Sequence, residues 1–162
     1  MNSLSGKLRA NSRIKLYVCC ILPLLVGLGS IPARATLGEN VSSIANDQAH
    51  LKASVRILPH QFYTIHELHT PAGTTIRQFV SPAGTVFGVA WQGTAPDLRQ
   101  LLGDYFNVFM AAATSPSRPR ERGFHLQTGD LVIDVGGHMR FVSGRALLRS
   151  ELPQGVVADE IR

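Results

Sequence analysis

Two of the six histidines in this 162-residue chain frame the segment His66-Glu67-Leu68-His69. Imidazole nitrogen and carboxylate oxygen are the usual non-thiolate ligands of zinc, so the cluster raises a metal site as the first chemical reading. The spacing argues against it. A helical zinc motif carries its histidines at i and i+4, whereas the residues around this segment are β-branched and aromatic and predict a strand. On a strand, positions three apart point to opposite faces. No metal site and no cofactor site is expected. Asp130 and Asp134 fall on one strand face about 13 Å apart, which exceeds the carboxylate spacing of either class of glycosidase. Ser143 and His138 could in principle meet an acid, but the Gly-x-Ser-x-Gly elbow that exposes an activated serine does not occur. No catalytic residue is therefore assigned. The binding candidates are Tyr63, Glu67, Arg77, Trp91 and His138.

Four of these five lie in or beside the stretch that organises the chain, Gln61 to Gly93. Two near-identical corners, Thr70-Pro-Ala-Gly-Thr74 and Ser81-Pro-Ala-Gly-Thr85, separate three runs of strand-forming residues. Proline presets φ at the first loop position, and glycine at the third supplies the left-handed conformation that closes a three-residue hairpin loop. The reading is a three-stranded antiparallel meander. Its register pairs Glu67 with Arg77, Ile65 with Phe79, Phe79 with Phe87 and Arg77 with Val89. One face then collects Tyr63, Ile65, Phe79, Phe87, Val89 and Trp91, with Glu67 and Arg77 as an opposite-charge pair. The other collects Leu68, Ile76, Val80, Val86, Gly88 and Ala90, with His66 and Gln78. Core packing is the expected role of the aromatic face. If the helix covers the Gly88/Ala90 side instead, Tyr63, Phe79, Phe87 and Trp91 form an exposed binding patch.

The N-terminus predicts a secretory signal peptide over residues 1–35. Lys7, Arg9, Arg13 and Lys15 form a basic start, Leu16 to Gly29 is an uncharged apolar run, and Ala33-Arg34-Ala35 supplies the small-x-small pattern before a cut after Ala35. The apolar run falls short of the ~20 residues of a comfortable transmembrane helix. Cys19 and Cys20 leave with this segment, so the mature chain forms no disulfide. Five of the 16 basic residues (Lys7, Arg9, Arg13, Lys15 and Arg34) leave too, and the remaining 11 balance the 11 acidic ones. The basic pI belongs to the precursor and gives no licence for nucleic-acid binding, which wants a clustered basic surface. A periplasmic or secreted location follows, with no transmembrane span after cleavage.

Residues 36–162 suit one α+β domain. A short helix with a Ser42 or Ser43 cap and an extended lead-in occupy 36–60, and the meander 61–93. A long amphipathic helix capped by Thr94 spans 94–113, built on Leu98, Leu101, Leu102, Tyr105, Phe109 and Ala112. Gly103 inside it suggests a close approach to the sheet. The loop bearing Arg118, Arg120 and Arg122 offers a solvated or anion-facing surface. A β-hairpin region follows at 123–149, turning at Gly136-Gly137, and 150–162 reads as an irregular tail. The whole is an antiparallel sheet of five to six strands with one long helix packed across it.

The segments YTIHEL, PAGTTIRQFVSPAGTVFGVAWQG, APDLRQLLGDYF, GGHMRFVSGRA and LPQGVVADEIR resemble a bacterial family of small exported proteins known as a domain of unknown function, family 2844. The resemblance runs from Leu37 onward and is most specific in the VSPAG-to-WQG and DLRQLLG segments. Gln78 stands where the family pattern carries an acidic residue. The resemblance implies export from a bacterial cell and brings no activity, ligand or catalytic residue with it. Three readings follow: a non-enzymatic module binding an envelope protein or ligand, a small hydrolase using His138 or His66 as base, and an assembly protein acting through its aromatic sheet face.

Overall fold

The computed structural model describes residues 36–115, 123–138 and 140–162; the leader reading and the Arg118–Arg122 loop lie outside them. The described residues fall in one compact unit. The architecture is α+β, with seven antiparallel strands rather than five to six. They are β1 (Ser54–Pro59), β2 (Thr64–His69), β3 (Thr75–Val80), β4 (Val86–Gly93), β5 (Phe124–Thr128), β6 (Leu131–His138) and β7 (Phe141–Leu148). The sheet order is β1-β2-β3-β4-β7-β6-β5. The lead-in at 54–58 is itself the edge strand β1, paired along its length with β2.

Both Pro-Ala-Gly corners close as three-residue loops, with Gly73 at φ 80° and Gly84 at φ 83°. Thr70 N donates to Thr74 O at 2.9 Å and Ser81 N to Thr85 O at 2.8 Å. The β2–β3 register is the expected one, Glu67 opposite Arg77 and Ile65 opposite Phe79. Between β3 and β4 it is not. Val80 faces Val86, but Phe79 faces Gly88 and Arg77 faces Ala90, so Phe87 is an extra residue in a β-bulge. An extra residue exchanges the faces beyond it. Val89 and Trp91 turn to the side of Leu68 and Ile76, while Gly88 and Ala90 join Phe79 and Phe87.

The helices pack on the Leu68/Ile76/Trp91 side, hereafter the helix face. They are α1 (Ser43–Leu51), α2 (Leu98–Leu102) and α3 (Phe106–Ala113). The expected long helix is short and broken. Gly103 takes φ 54° and ψ −118°, which no helix continues through, and a single 3-10 turn over Gly103–Tyr105 restarts the chain as α3. The cap of α2 is Asp97 rather than Thr94. Its carboxylate accepts from Arg99 N at 3.0 Å and Gln100 N at 3.3 Å, which satisfies two amide groups of the first turn. Ser42 makes no side-chain cap to α1. Beneath the helices Asp47 is fully buried, and its carboxylate accepts from Gln78 Nε2 at 2.6 Å, Gln100 Nε2 at 2.7 Å and the Thr36 hydroxyl. Burial pushes its pKa up, and the two amides pull it part of the way back. Gln78, standing at a position read as acidic in the family pattern, thus supplies an amide donor to an acid on α1.

The opposite face is closed by residues 152–161, which form a strap instead of a loose tail. Leu152, Val156 and Ala158 pack against Ile65, Phe79, Phe87, Val132 and Leu147, and Ile161 is fully buried among them. A side chain on Gly88 would place its Cβ 3.2 Å from Ile161 Cγ2, so the close approach that glycine permits serves the strap and not a helix. The aromatic patch is therefore covered: Phe79 and Phe87 are buried beneath the strap.

Candidate functional site

On the strap face the pairings β1–β2, β2–β3, β3–β4, β4–β7, β7–β6 and β6–β5 align one polar row across all seven strands. It reads Arg56, Glu67, Arg77, Ala90, Arg145, Asp134, His125. Side chains opposite one another on a sheet interact directly, and opposite charges there are favourable. Arg77 Nε donates to Glu67 Oε2 at 2.8 Å, and Glu67 Oε1 lies 3.0 Å from His69 Nε2. Those hydrogen bonds, first among them Arg77's, hold the Glu67 carboxyl below the usual range against the cost of burial. At the other end Arg145 Nε donates to Asp134 Oδ2 at 2.8 Å, and His125 Nδ1 bonds Asp134 Oδ1 at 2.5 Å. Burial pushes Asp134 up, but the bonds to His125 and Arg145 outweigh it and leave its carboxyl below the ordinary value.

The small Ala90 at mid-row leaves a gap between two arginines, and the strap lies in it. Arg145 Nη1 donates to the carbonyls of Ala158 at 2.9 Å and Ile161 at 3.3 Å, and Arg77 Nη1 to that of Arg162 at 3.2 Å. Beyond Arg162 the face opens into a groove of about 500 Å³. One wall is the charged row at Arg145, Asp134 and His125. The next row of the same face, Gln92, Ser143 and Gly136, forms the far side, with Gly123 at the β5 edge and Arg162 at the strap. Trp91 and Phe124 also border it, but alternation sends their rings to the helix face, where Phe124 meets Phe109 edge-on at 5.3 Å. Their contribution to the groove is main chain.

The far side of the groove is bare at Gly136. A Cβ added to Gly136 would meet nothing within 4 Å, and its φ lies outside the positive region. Neither packing nor backbone geometry calls for glycine there. A mid-strand glycine costs about 0.5–1 kcal/mol relative to alanine. What that glycine leaves behind is space.

The five binding candidates do not converge. Glu67 and Arg77 are paired in the polar row. Tyr63 sits on the strap face, stacked on His60 at 4.8 Å and against Phe79 and Phe87, with its hydroxyl 3.4 Å from Glu160 Oε2. Burial, and then Glu160, push its pKa up. Trp91 is buried on the helix face at 2% exposure, its indole lying over Gly144. His138 is exposed at the end of β6, its ring 6.2 Å from Phe141. The expected turn at Gly136-Gly137 is strand instead. Gly137 pairs with Val142 and His138 with Phe141, which moves the turn beyond His138.

That three-residue displacement hid the Asp134–Arg145 pair and with it the hydrogen bond between Asp134 and His125. His66 lies on the helix face opposite Gln78, where burial lowers its pKa. Among the described residues neither His66 nor His138 is hydrogen-bonded to an acid. Asp130 is held in the β5–β6 turn by Ser150 Oγ at 2.6 Å, away from Asp134's partners. Among the described residues no three of His, Cys, Asp and Glu are placed to share a metal ion, and no helix is long and apolar enough to cross a membrane.

No curated protein and no solved structure matches the chain. The model of one family, described as a protein of unknown function (DUF2844), matches residues 33–161 and so spans the sheet, the helices, the strap and the groove: the chain belongs to the DUF2844 family.

Proposed function

We propose that this protein is an exported, non-enzymatic binding module, and that the groove beside the strap is where its ligand or envelope partner is held. The observation that carries this reading is Gly136, a strand glycine that no contact and no backbone angle requires, lying in the far side of the groove. Ligand sites are concave, largely preformed and furnished with a few convergent polar groups, and His125, Ser143, Gln92 and Arg162 supply such groups here. Export rests on the basic start, the uncharged apolar run and the Ala33-Arg34-Ala35 pattern. The protein is then periplasmic or secreted and begins at Thr36. N-terminal sequencing of protein from the envelope and medium fractions tests this; a chain still starting at Met1 in the cytosol would refute it. For the groove, the test is a ligand screen run in parallel on the native protein and Gly136→Leu. Ligands that bind both equally lie elsewhere.

A hydrolytic reading has one observation in its favour. His125, like His69 beside Glu67, is held in place by a carboxylate, as a general base requires, and of the two it is His125 that lines the groove. Ser143 lies two strands and two residues away from it, on the order of 12 Å by strand spacing, so a serine nucleophile is out of reach and water would have to attack. Turnover of an ester or glycoside panel that disappears in His125→Ala would favour this second reading.

A further inference from the structure

We propose that the groove binds an oxyanion, the carboxylate or phosphate group of a small ligand. The inference rests on the groove being the binding site and goes on to assign its chemistry by asking which hydrogen-bonding groups there are already engaged.

Asp134, the acid that borders the groove, has both oxygens occupied, Oδ1 by His125 and Oδ2 by Arg145. It offers an incoming ligand little acceptor capacity. Arg145 is engaged as well, through Nε to Asp134 and through Nη1 to two strap carbonyls, with Nη2 at 3.5 Å from Asp159. What remains is rich in donors. Arg162 uses its main-chain carbonyl to accept from Arg77, while among the described residues its guanidinium has no partner. The same holds for the Ser143 hydroxyl and the Gln92 amide. Arg162 adds five N–H groups in a planar fork that matches two oxygens of one carboxylate or phosphate.

Charge agrees with this accounting. Asp134 is paired with Arg145, and the guanidinium of Arg162, a lining residue, has no ion-pair partner among the described residues. A ligand rich in donors, such as an amine, would meet an occupied carboxylate and an arginine. An oxyanion meets a fork, a hydroxyl and an amide, and charge-assisted bonds of that kind are the strong ones.

Nuclear magnetic resonance titration of the full chain with inorganic phosphate, with succinate and with glucose tests the assignment. Phosphate or succinate should shift the amide signals around Gly136 and Ser143 with a Kd of about 10 mM or tighter. Arg162→Gln should weaken that binding roughly tenfold and Ser143→Ala less. Gly136→Leu should abolish it while the spectrum stays that of a folded chain. Arg162 is exposed, so its variant keeps the experiment decisive even if Gly136→Leu perturbs the sheet. A stronger phosphate response assigns a phosphoryl ligand and a stronger succinate response a carboxylate one. If neither oxyanion binds, or if Arg162→Gln binds as well as native, the proposal is overturned. Glucose binding lost in Gly136→Leu, without oxyanion binding, would overturn the anion and leave the groove standing.

Discussion

Two acids of this protein titrate with opposite consequences. Glu67 is held below its ordinary pKa, so it contributes stability that is present above about pH 4.3 and is lost as pH falls through the lower folded value. Asp47 is raised, so its ionisation in the core costs stability, and that cost appears as pH rises from about 4 through the elevated value. In thermal melts at pH 7 and pH 4, Glu67→Gln should lose less on acidification than the native protein. Asp47→Asn should lose more, because an opposing gain has gone. Asp47→Ala leaves two buried amides and a hydroxyl without their acceptor, and should cost roughly 3 kcal/mol at pH 7 in denaturant unfolding. A cost under about 1 kcal/mol would mean that the carboxylate does not tie α1 and α2 to the sheet.

Two glycines on neighbouring strands make a sharper contrast. Gly136→Ala meets open space and should stabilise by about 0.5 kcal/mol, the ordinary advantage of alanine in a strand. Gly144→Ala drives its Cβ into the Trp91 ring and to 2.7 Å from the Asp134 main-chain oxygen, and should cost about 2 kcal/mol or more through overpacking. Equal effects in chemical denaturation would contradict the packing described for Trp91.

At the scale of elements, the sequence was readable wherever a turn announced itself. The two Pro-Ala-Gly corners placed β2, β3 and the start of β4, and with them the Glu67–Arg77 pair. The reading failed two residues past the second corner, because nothing in Val86-Phe87-Gly88 distinguishes a bulged phenylalanine from a paired one. That single residue carried Trp91 to the helix face. Gly136-Gly137 misled for a related reason: adjacent glycines usually mark a turn, but here one lies over open space and the other takes φ 121° within a paired strand. The groove's charged wall depended on that hairpin's register and was lost with it. Asp97 displaced Thr94 as cap because both are good capping residues and only the local path of the chain chooses between them. Deleting Phe87 tests the bulge directly. It would give an unbroken ladder with Gly88 still opposite Phe79 and with Val89 and Trp91 still on the helix face, so the variant should unfold cooperatively by circular dichroism, weakened by about 3 kcal/mol for the lost Phe87 ring; loss of cooperative unfolding would contradict the bulge.

For the molecule as a whole, the strap was the least legible part, since 150–162 has neither helical nor strand periodicity. Its order comes from partners far away in the chain: Arg77, Arg145 and the pocket over Gly88. Gly88→Val should push Ile161 off its seat, cost about 1–3 kcal/mol, and speed amide hydrogen exchange over residues 156–161 while sparing α1. Such long-range dependence also dictates an order of events. β4 sits at the sheet's centre between β3, its neighbour in sequence, and β7, about fifty residues later, and only then can Ile161 close over Phe79 and Phe87. A nascent chain emerging from the ribosome can make its first hairpins early, but it has no means of finishing either side of the sheet until these late residues arrive. Until then it stays open, exposing apolar strands, in the state that chaperones hold.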